Sequence, residues 1–284
     1  MTGWRDLVEL TRAPAALSVP GDVVAGAAAA GVLGPRTVAM AGASVCLYWA
    51  GMAANDFADR HVDAAERPHR PIPSGRVSPA TAAGLAVGLT AAGVAVAAVA
   101  GGRRQLPVAL SLAGAIWAYD LGVKNTAAGP AVMAACRGLD VLLGTGGGWR
   151  SRPRAVLPAA LTIAAHTYTV TVLSRREVDG ASPSLPRRTL AATAALAAAT
   201  GARRPGLVPA ALAAWYVTRY GAAQARAAAD PTAARVRDAV TAGITTLPVL
   251  QGALTAATGA VAAGAATAVL APAAARLARA VSPT

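Results

Sequence analysis

The chain has 284 residues, 55% of them hydrophobic, 14% charged and only 4% aromatic, with a formal net charge of +13 and a mean hydropathy of +0.47. That balance excludes a disordered chain and argues against a soluble nucleic-acid binder, because the basic residues cluster between long apolar runs, as loops at lipid headgroups do. It points to the membrane class, with packing left to Ala, Gly, Val and Leu, small side chains that let membrane helices approach closely.

Residues 1–12, with Trp4, Arg5, Asp6, Glu9 and Arg12, read as a short amphipathic helix at the membrane surface. The apolar run behind them is long enough to span, so no cleavable signal peptide is expected. Apolar runs follow at about 14–34, 37–54, 79–100, 105–121, 129–146, 155–173, 189–201, 205–222, 236–256 and 258–279. Most reach the roughly 17–25 residues that crossing a bilayer takes. The expectation is an all-α, multi-span transmembrane bundle of nine or ten spans, one domain over residues 1–284. The 189–201 run is short and the last two are split only by Thr258-Gly259, so nine crossings fit as well as ten. Cys46 and Cys136 lie inside apolar runs and read as small core residues.

With the N-terminus cytoplasmic and ten alternating spans, seventeen Lys and Arg fall on one side and eight on the other, with Arg137 inside a span. By the positive-inside rule the richer side is cytoplasmic. The heavy use of Ala and Arg is associated with bacterial genomes rich in GC.

The second apolar run ends in Asn55-Asp56-Phe57-Ala58-Asp59-Arg60-His61-Val62-Asp63. Asp56, Asp59 and Asp63 stand at i, i+3 and i+7 and share one helix face. Like charges so placed repel by roughly a few tenths of a kcal/mol per exposed pair. A hard cation such as Mg²⁺ removes that repulsion, since it takes oxygen ligands and leaves positions for water and phosphate. A basic loop follows, Glu66-Arg67-Pro68-His69-Arg70-Pro71-Ile72-Pro73-Ser74-Gly75-Arg76. A solvated acidic helix end needs neither this spacing nor this loop.

Together these residues resemble the first aspartate motif of the UbiA superfamily of intramembrane prenyltransferases, N-D-x-x-D-x-x-x-D followed by an R-P-x-P-x-G-like loop. The resemblance implies a helical bundle around a central apolar cavity. It implies that Asn55, Asp56, Asp59 and Asp63 hold Mg²⁺ and the diphosphate of an allylic isoprenoid. Arg67 and Arg70 are matched to phosphate oxygens by their bidentate geometry, and serve equally well as headgroup anchors.

A second segment, Tyr119-Asp120-Leu121-Gly122-Val123-Lys124-Asn125, is similar to the family's Y-x-x-x-x-K stretch, in which Lys meets the diphosphate. Lys124 is the only lysine in the chain; a loop lysine at the headgroups is the competing reading. A third, Ser174-Arg175-Arg176-Glu177-Val178-Asp179, stands where many members resemble D-x-x-x-D and hold a second Mg²⁺. Ser174 replaces the first Asp there, which leaves Glu177 and Asp179 as anionic ligands and adds Arg175 and Arg176. Either arginine takes over phosphate binding or catalysis is weakened or lost. This third segment, with Arg-Ala-Pro-Ala-Ala-Leu-Ser-Val-Pro-Gly-Asp near the start, also resembles the bacterial EboC-like branch.

Asp22, Arg137 and Asp140 are ionisable residues inside predicted spans, where charge is costly and faces a cavity or a partner. Arg137 and Asp140, at i and i+3, are able to pair with each other; Asp22 or Asp140 is otherwise placed to meet the acceptor or a developing cation. His166 reads either as a proton acceptor or, more simply, as a satisfied core histidine.

The implied activity is Mg²⁺-dependent prenyl transfer from an isoprenyl diphosphate to a small lipophilic or aromatic acceptor, with the bilayer supplying the tail and no nucleic acid involved. A non-catalytic member that binds or moves a lipophilic metabolite is the alternative that Ser174 permits.

Overall fold

The computed structural model describes residues 3–12, 18–203 and 206–270. Part of the Arg12–Asp22 stretch behind the narrower resemblance, and residues 271–279 of the last apolar run, lie outside them. The described residues are helical without strands. The helices are α1 Trp4–Leu10, α2 Val19–Ala30, α3 Pro35–Glu66, α4 Pro79–Gly101, α5 Leu106–Leu121, α6 Gly129–Gly144, α7 Pro153–Ser174, α8 Ser184–Gly201, α9 Leu207–Tyr216, α10 Ala222–Ala229, α11 Ala233–Ala256 and α12 Val261–Leu270. A π-helical turn, Val217–Gly221, joins α9 to α10.

The starts are written in proline. α2 to α7 each carry Pro at the first or second helical position, where the missing N–H costs nothing. Ser78 adds a side-chain cap to α4, its hydroxyl accepting from the Thr81 N–H at 3.0 Å. α2 ends at Gly31, whose φ of +71° suits a left-handed cap.

Helices α3, α4, α7 and α11 are each long and apolar enough to cross a bilayer; α2, α5 and α12 are shorter apolar helices. α3 has 32 residues, about 48 Å at 1.5 Å per residue, against a hydrocarbon core of about 30 Å. Counted from Pro35, about 20 residues fill that thickness. Asn55 therefore stands where the helix leaves the apolar layer, and the acidic turns project beyond it.

Contacts define two ends of the bundle. At one, Lys124 behind α5 reaches Asp59 of α3, and Arg237 of α11 donates to the Glu177 carbonyl behind α7 at 2.7 Å. At the other, Arg152 ahead of α7 lies against Gly31 behind α2. Between them the helices pack backbone to backbone. Gly26 of α2 sits on the Val141 carbonyl of α6, and Gly144 of α6 on the Val23 carbonyl of α2. Gly252 of α11 and Gly264 of α12 face each other in the same way. Any Cβ at these points occupies the neighbour's backbone, which is how a chain poor in aromatic residues closes its core.

Gly144→Leu is expected to force α2 and α6 apart and cost about 1–3 kcal/mol or more of stability. The thermal unfolding midpoint of the purified protein in detergent checks it; an unchanged midpoint contradicts the packing.

Candidate active site

The end of α3 carries Asn55, Asp56, Asp59 and Asp63 over two helical turns, with Asp56 and Asp63 buried. Basic partners arrive from three separate parts of the chain. Arg12 Nη2 donates to Asp56 Oδ1 at 2.9 Å. Arg70 Nη1 donates to Asp63 Oδ2 at 2.8 Å and lies 3.4 Å from Asp56 Oδ1. Arg67 Nη1 stands 3.5 Å from Asp63 Oδ1. Lys124 Nζ donates to Asp59 Oδ2 at 2.6 Å and to Asn55 Oδ1 at 2.7 Å, and Asn55 Nδ2 donates to Asp59 Oδ2 at 3.2 Å.

A fourth carboxylate, Asp120 of α5, is buried within electrostatic reach of Lys124, Arg12, Asp59 and Asp56. It fits because Gly51, one turn below Asn55, has no side chain; a Cβ there would meet an Asp120 oxygen at 2.6 Å. Four carboxylates thus face four cations, and the cluster is close to neutral. Unpaired, the buried Asp56 or Asp63 would carry a desolvation cost of roughly several kcal/mol.

Helix α1 works as a latch on this cluster. Arg76 of the α3–α4 loop bonds Asp6 at 2.7 Å, Glu9 at 2.7 and 3.0 Å, and the His69 carbonyl at 2.8 Å. The Gly3 N–H and the Arg76 guanidinium hold the Asp6 carboxyl below its usual range. Leu10 is fully buried among Ala53, Ala54, Ile72 and Val77. The latch ends at Arg12 with φ +45°, a region that L residues enter at a cost of about 1–3 kcal/mol. The strained turn is what delivers Arg12 to Asp56.

Of the third predicted segment, Arg175 lies within electrostatic reach of Tyr119, and Arg176 lines a cleft of ≈ 420 Å³ with Ser182, Ser184 and Arg188. Glu177 is half-buried beside Arg237, and burial raises its pKa against the pull of that arginine. Asp179 is exposed. The Ser174 hydroxyl donates to the Thr171 carbonyl at 2.9 Å.

Deeper in the bundle, Arg137 pairs across the chain with Asp22 at 2.7 Å rather than with Asp140. Gln251 Nε2 donates to Asp22 Oδ1 at 2.6 Å and to the Ser18 carbonyl at 2.7 Å, and Arg137 Nη2 donates to the same carbonyl at 3.1 Å. Asp140 accepts from the Ser44 hydroxyl. The interior therefore holds two carboxylates and one guanidinium, all buried. His166 is hydrogen-bonded through Nδ1 to the Tyr216 hydroxyl at 2.8 Å. Tyr216 precedes the π-helical turn and Tyr220 lies within it, and both rings meet the imidazole edge-on.

Sequence reasoning passed over Arg12, Asp120, Gln251 and the two tyrosines as site residues. Asp120 had a signal, since it sits beside Tyr119 in a segment already singled out; the others depend on contacts between distant parts of the chain.

Among the described residues no group of three His, Cys, Asp or Glu is arranged around a metal position. The donor set at the end of α3 nonetheless fits a hard divalent cation in kind, because Asn55, Asp56, Asp59 and Asp63 offer only oxygen acceptors to it.

Four helices long and apolar enough to cross a bilayer, with paired carboxylates and cations at one end, define an integral membrane protein. The chain belongs to the UbiA prenyltransferase family, whose family model matches residues 17–282. It is similar to digeranylgeranylglyceryl phosphate synthase of Natronomonas pharaonis, 45% identical over 87 residues, 30% of this chain and 31% of that protein. The same enzyme of Methanopyrus kandleri is 46% identical over 91 residues, 30% and 31% of the two chains. The 33 kDa chain of bacteriochlorophyll synthase of Rhodobacter capsulatus is 60% identical over 42 residues, 14% and 12% of the two chains. The chain thus matches at most about a third of the length of these curated relatives. In fold it is similar to a solved digeranylgeranylglyceryl phosphate synthase structure, with TM-score 0.70 and 15% identity over 92% of this chain and 100% of that one. It is also similar to the apo structure of a UbiA homolog from Aeropyrum pernix K1, with TM-score 0.62 and 19% identity over 84% and 96%.

Two outcomes follow from the geometry. Arg137→Met leaves Asp22 buried without its cation and is expected to cost about 3–5 kcal/mol, whereas Asp140→Asn keeps a partner in Ser44 and costs less; thermal unfolding midpoints rank the two. Arg76→Ala frees α1, so amide exchange over residues 4–12 rises severalfold while α3 below Asn55 stays protected.

Proposed function

We propose that this protein transfers an isoprenoid chain from an allylic diphosphate to a small lipophilic or aromatic acceptor, with Mg²⁺ at the end of α3. The observation that carries this reading is the set of ion pairs that joins Asp56, Asp59 and Asp63 to Arg12, Arg67, Arg70 and Lys124 at the end of α3. Such a cluster offers both halves of a metal–diphosphate site. Asn55, Asp56, Asp59 and Asp63 are the residues that would hold the cation, and the metal supplies charge neutralisation to the leaving diphosphate.

Arg12, Arg67, Arg70 and Lys124 then exchange a carboxylate partner for phosphate oxygens, with no net charge added to the site. Arg175 stands near Tyr119 and adds a cation from the second motif, where Ser174 has replaced an acid. The tail lies among the apolar helices below Asn55, where water that would quench an allylic cation is kept away. We assign Glu177 and Asp179 a lesser part in metal binding, since Glu177 already faces Arg237.

The relatives differ in product by name, one set making a glyceryl phosphate lipid and another bacteriochlorophyll. The acceptor is therefore proposed only as lipophilic. We further propose that the motif faces the cytoplasmic side of a bacterial membrane, a reading the excess of basic residues at that end supports, with the shorter helices completing nine or ten crossings. The degenerate second motif supports placement near the EboC-like branch. That same departure favours one competing reading, a non-catalytic protein that binds or moves a lipophilic metabolite.

The test is diphosphate release by the reconstituted protein with Mg²⁺ and a panel of allylic diphosphates. Asp56→Asn or Asp59→Asn is expected to lower release by about 10²-fold or more, and chelation of the metal to abolish it. Binding of the diphosphate without release by the wild-type protein would sink the transferase reading and favour the competing one.

A further inference from the structure

The end of the bundle away from the aspartate cluster has a different electrostatic character. Its described connections, 31–34, 102–105, 145–152, 202–203 and 257–260, contain no Asp or Glu. All thirteen acidic side chains of the protein stand elsewhere, yet seven arginines among the described residues lie in these connections or within two residues of them.

Three of those arginines meet in one place. Arg152 and Arg154 at the start of α7 and Arg203 behind α8 line a cleft of ≈ 500 Å³, whose floor includes Ala28, Leu254 and Ala257. Among the described residues no carboxylate lies within ion-pair distance of any of the three. Gly31 lets Arg152 lie close to the C-terminal end of α2; a Cβ there would stand 2.9 Å from its Nη1. That negative helix end steadies Arg152 at the rim. Arg154 has the reverse setting, a cation in the first turn of α7, where the helix itself favours an anion. Arg203, like Arg152 and Arg154, is exposed at the mouth of the cleft. Three guanidiniums that share one cleft without a carboxylate partner suit an anionic phosphate oxygen set, which arginine matches bidentately.

The rest of the cleft narrows the choice of anion. Its lining also includes the small aliphatic side chains Ala28, Leu254 and Ala257 at the ends of α2 and α11, each exposing only a small edge. A small inorganic anion would use the arginines and leave that wall bare. Arginines that serve only as headgroup anchors need not share a cleft, whereas these come from two connections about fifty residues apart.

We propose that the Arg152–Arg154–Arg203 cleft binds an anionic phospholipid, its phosphodiester on the guanidiniums and the start of its acyl chain on the Ala28–Leu254–Ala257 wall. The site lies at the opposite end from the aspartate cluster and is independent of the proposed reaction.

The full-length protein, delipidated in mild detergent, is titrated with phosphatidylglycerol, phosphatidylcholine and inorganic phosphate. Binding is read by native mass spectrometry and by the thermal unfolding midpoint. Phosphatidylglycerol is expected to bind and to raise the midpoint, and the other two to do neither. R152Q/R154Q/R203Q weakens phosphatidylglycerol binding by at least about tenfold, while Arg36→Gln, outside the cleft, leaves it unchanged. Equal binding to the wild type and the triple variant overturns the proposal, as does equal protection by phosphatidylcholine or by inorganic phosphate alone. Should the triple variant fail to fold, Arg154→Gln alone decides: a loss of about threefold or more supports the site, and unchanged binding overturns it.

Discussion

Four carboxylates and four basic side chains share the mouth of this bundle, and neither set is stable there without the other. Asp56 and Asp63 are buried, so their charge is met by Arg12, Arg67 and Arg70 rather than by water alone. Buried carboxylates without those cations would be costly. Interleaved, they form a site whose charge is already balanced. A metal–diphosphate brings both signs together, so each protein group can change partner without the site passing through a large net charge.

The rest of the fold serves to bring those groups to one place. α3 is long enough to cross the apolar layer and then present two more turns of acid. α5 and the short turn Val123–Asn125 behind it return Lys124 and Asp120 to the same level. α1 contributes little core, but its ion pairs to Arg76 and its buried Leu10 hold the strained Arg12 turn against Asp56. The glycine contacts between α2 and α6 set the spacing of the helices that carry Asp22, Arg137 and Asp140. Local backbone strain at Arg12 and close packing at Gly26 and Gly144 are thus two ways of placing charge.

Much of this was legible in one dimension because it obeys the helix period. Spacing of three and four residues puts Asn55, Asp56, Asp59 and Asp63 on adjacent turns, and the Pro-rich loop behind them returns Arg67 and Arg70 to the same turns. Each of the ten apolar windows holds a described helix, since the prolines at helix starts and the glycine and arginine breaks are local signals. What spacing does not reveal is pairing over distance. Arg137 and Asp140 share a helix face, yet Arg137 reaches Asp22 across the α2–α6 contact, because two helices joined backbone to backbone bring side chains nearer than one turn of helix does. Arg12 is tied to Asp56 only through α1, whose docking depends on Arg76. Asp120 needed the absence of a side chain at Gly51, a fact about a neighbouring helix.

The same side chain does opposite work at the two ends. At the aspartate end every arginine of the site is already held by a carboxylate, so its geometry is set before any ligand arrives and little side-chain freedom is lost on binding. At the other end there are no acids to hold the guanidiniums. Arg152 rests on the end of α2, Arg154 crowds a helix start that repels it, and Arg203 joins them in the same cleft. Were charge on the loops only a matter of orienting the chain in a bilayer, acids would be tolerated at both ends, since orientation follows Lys and Arg and is nearly indifferent to Asp and Glu. Their restriction to one end and the interior fits the two ligands proposed above, since a metal-borne diphosphate calls for acids beside the arginines and a bare phosphodiester does not.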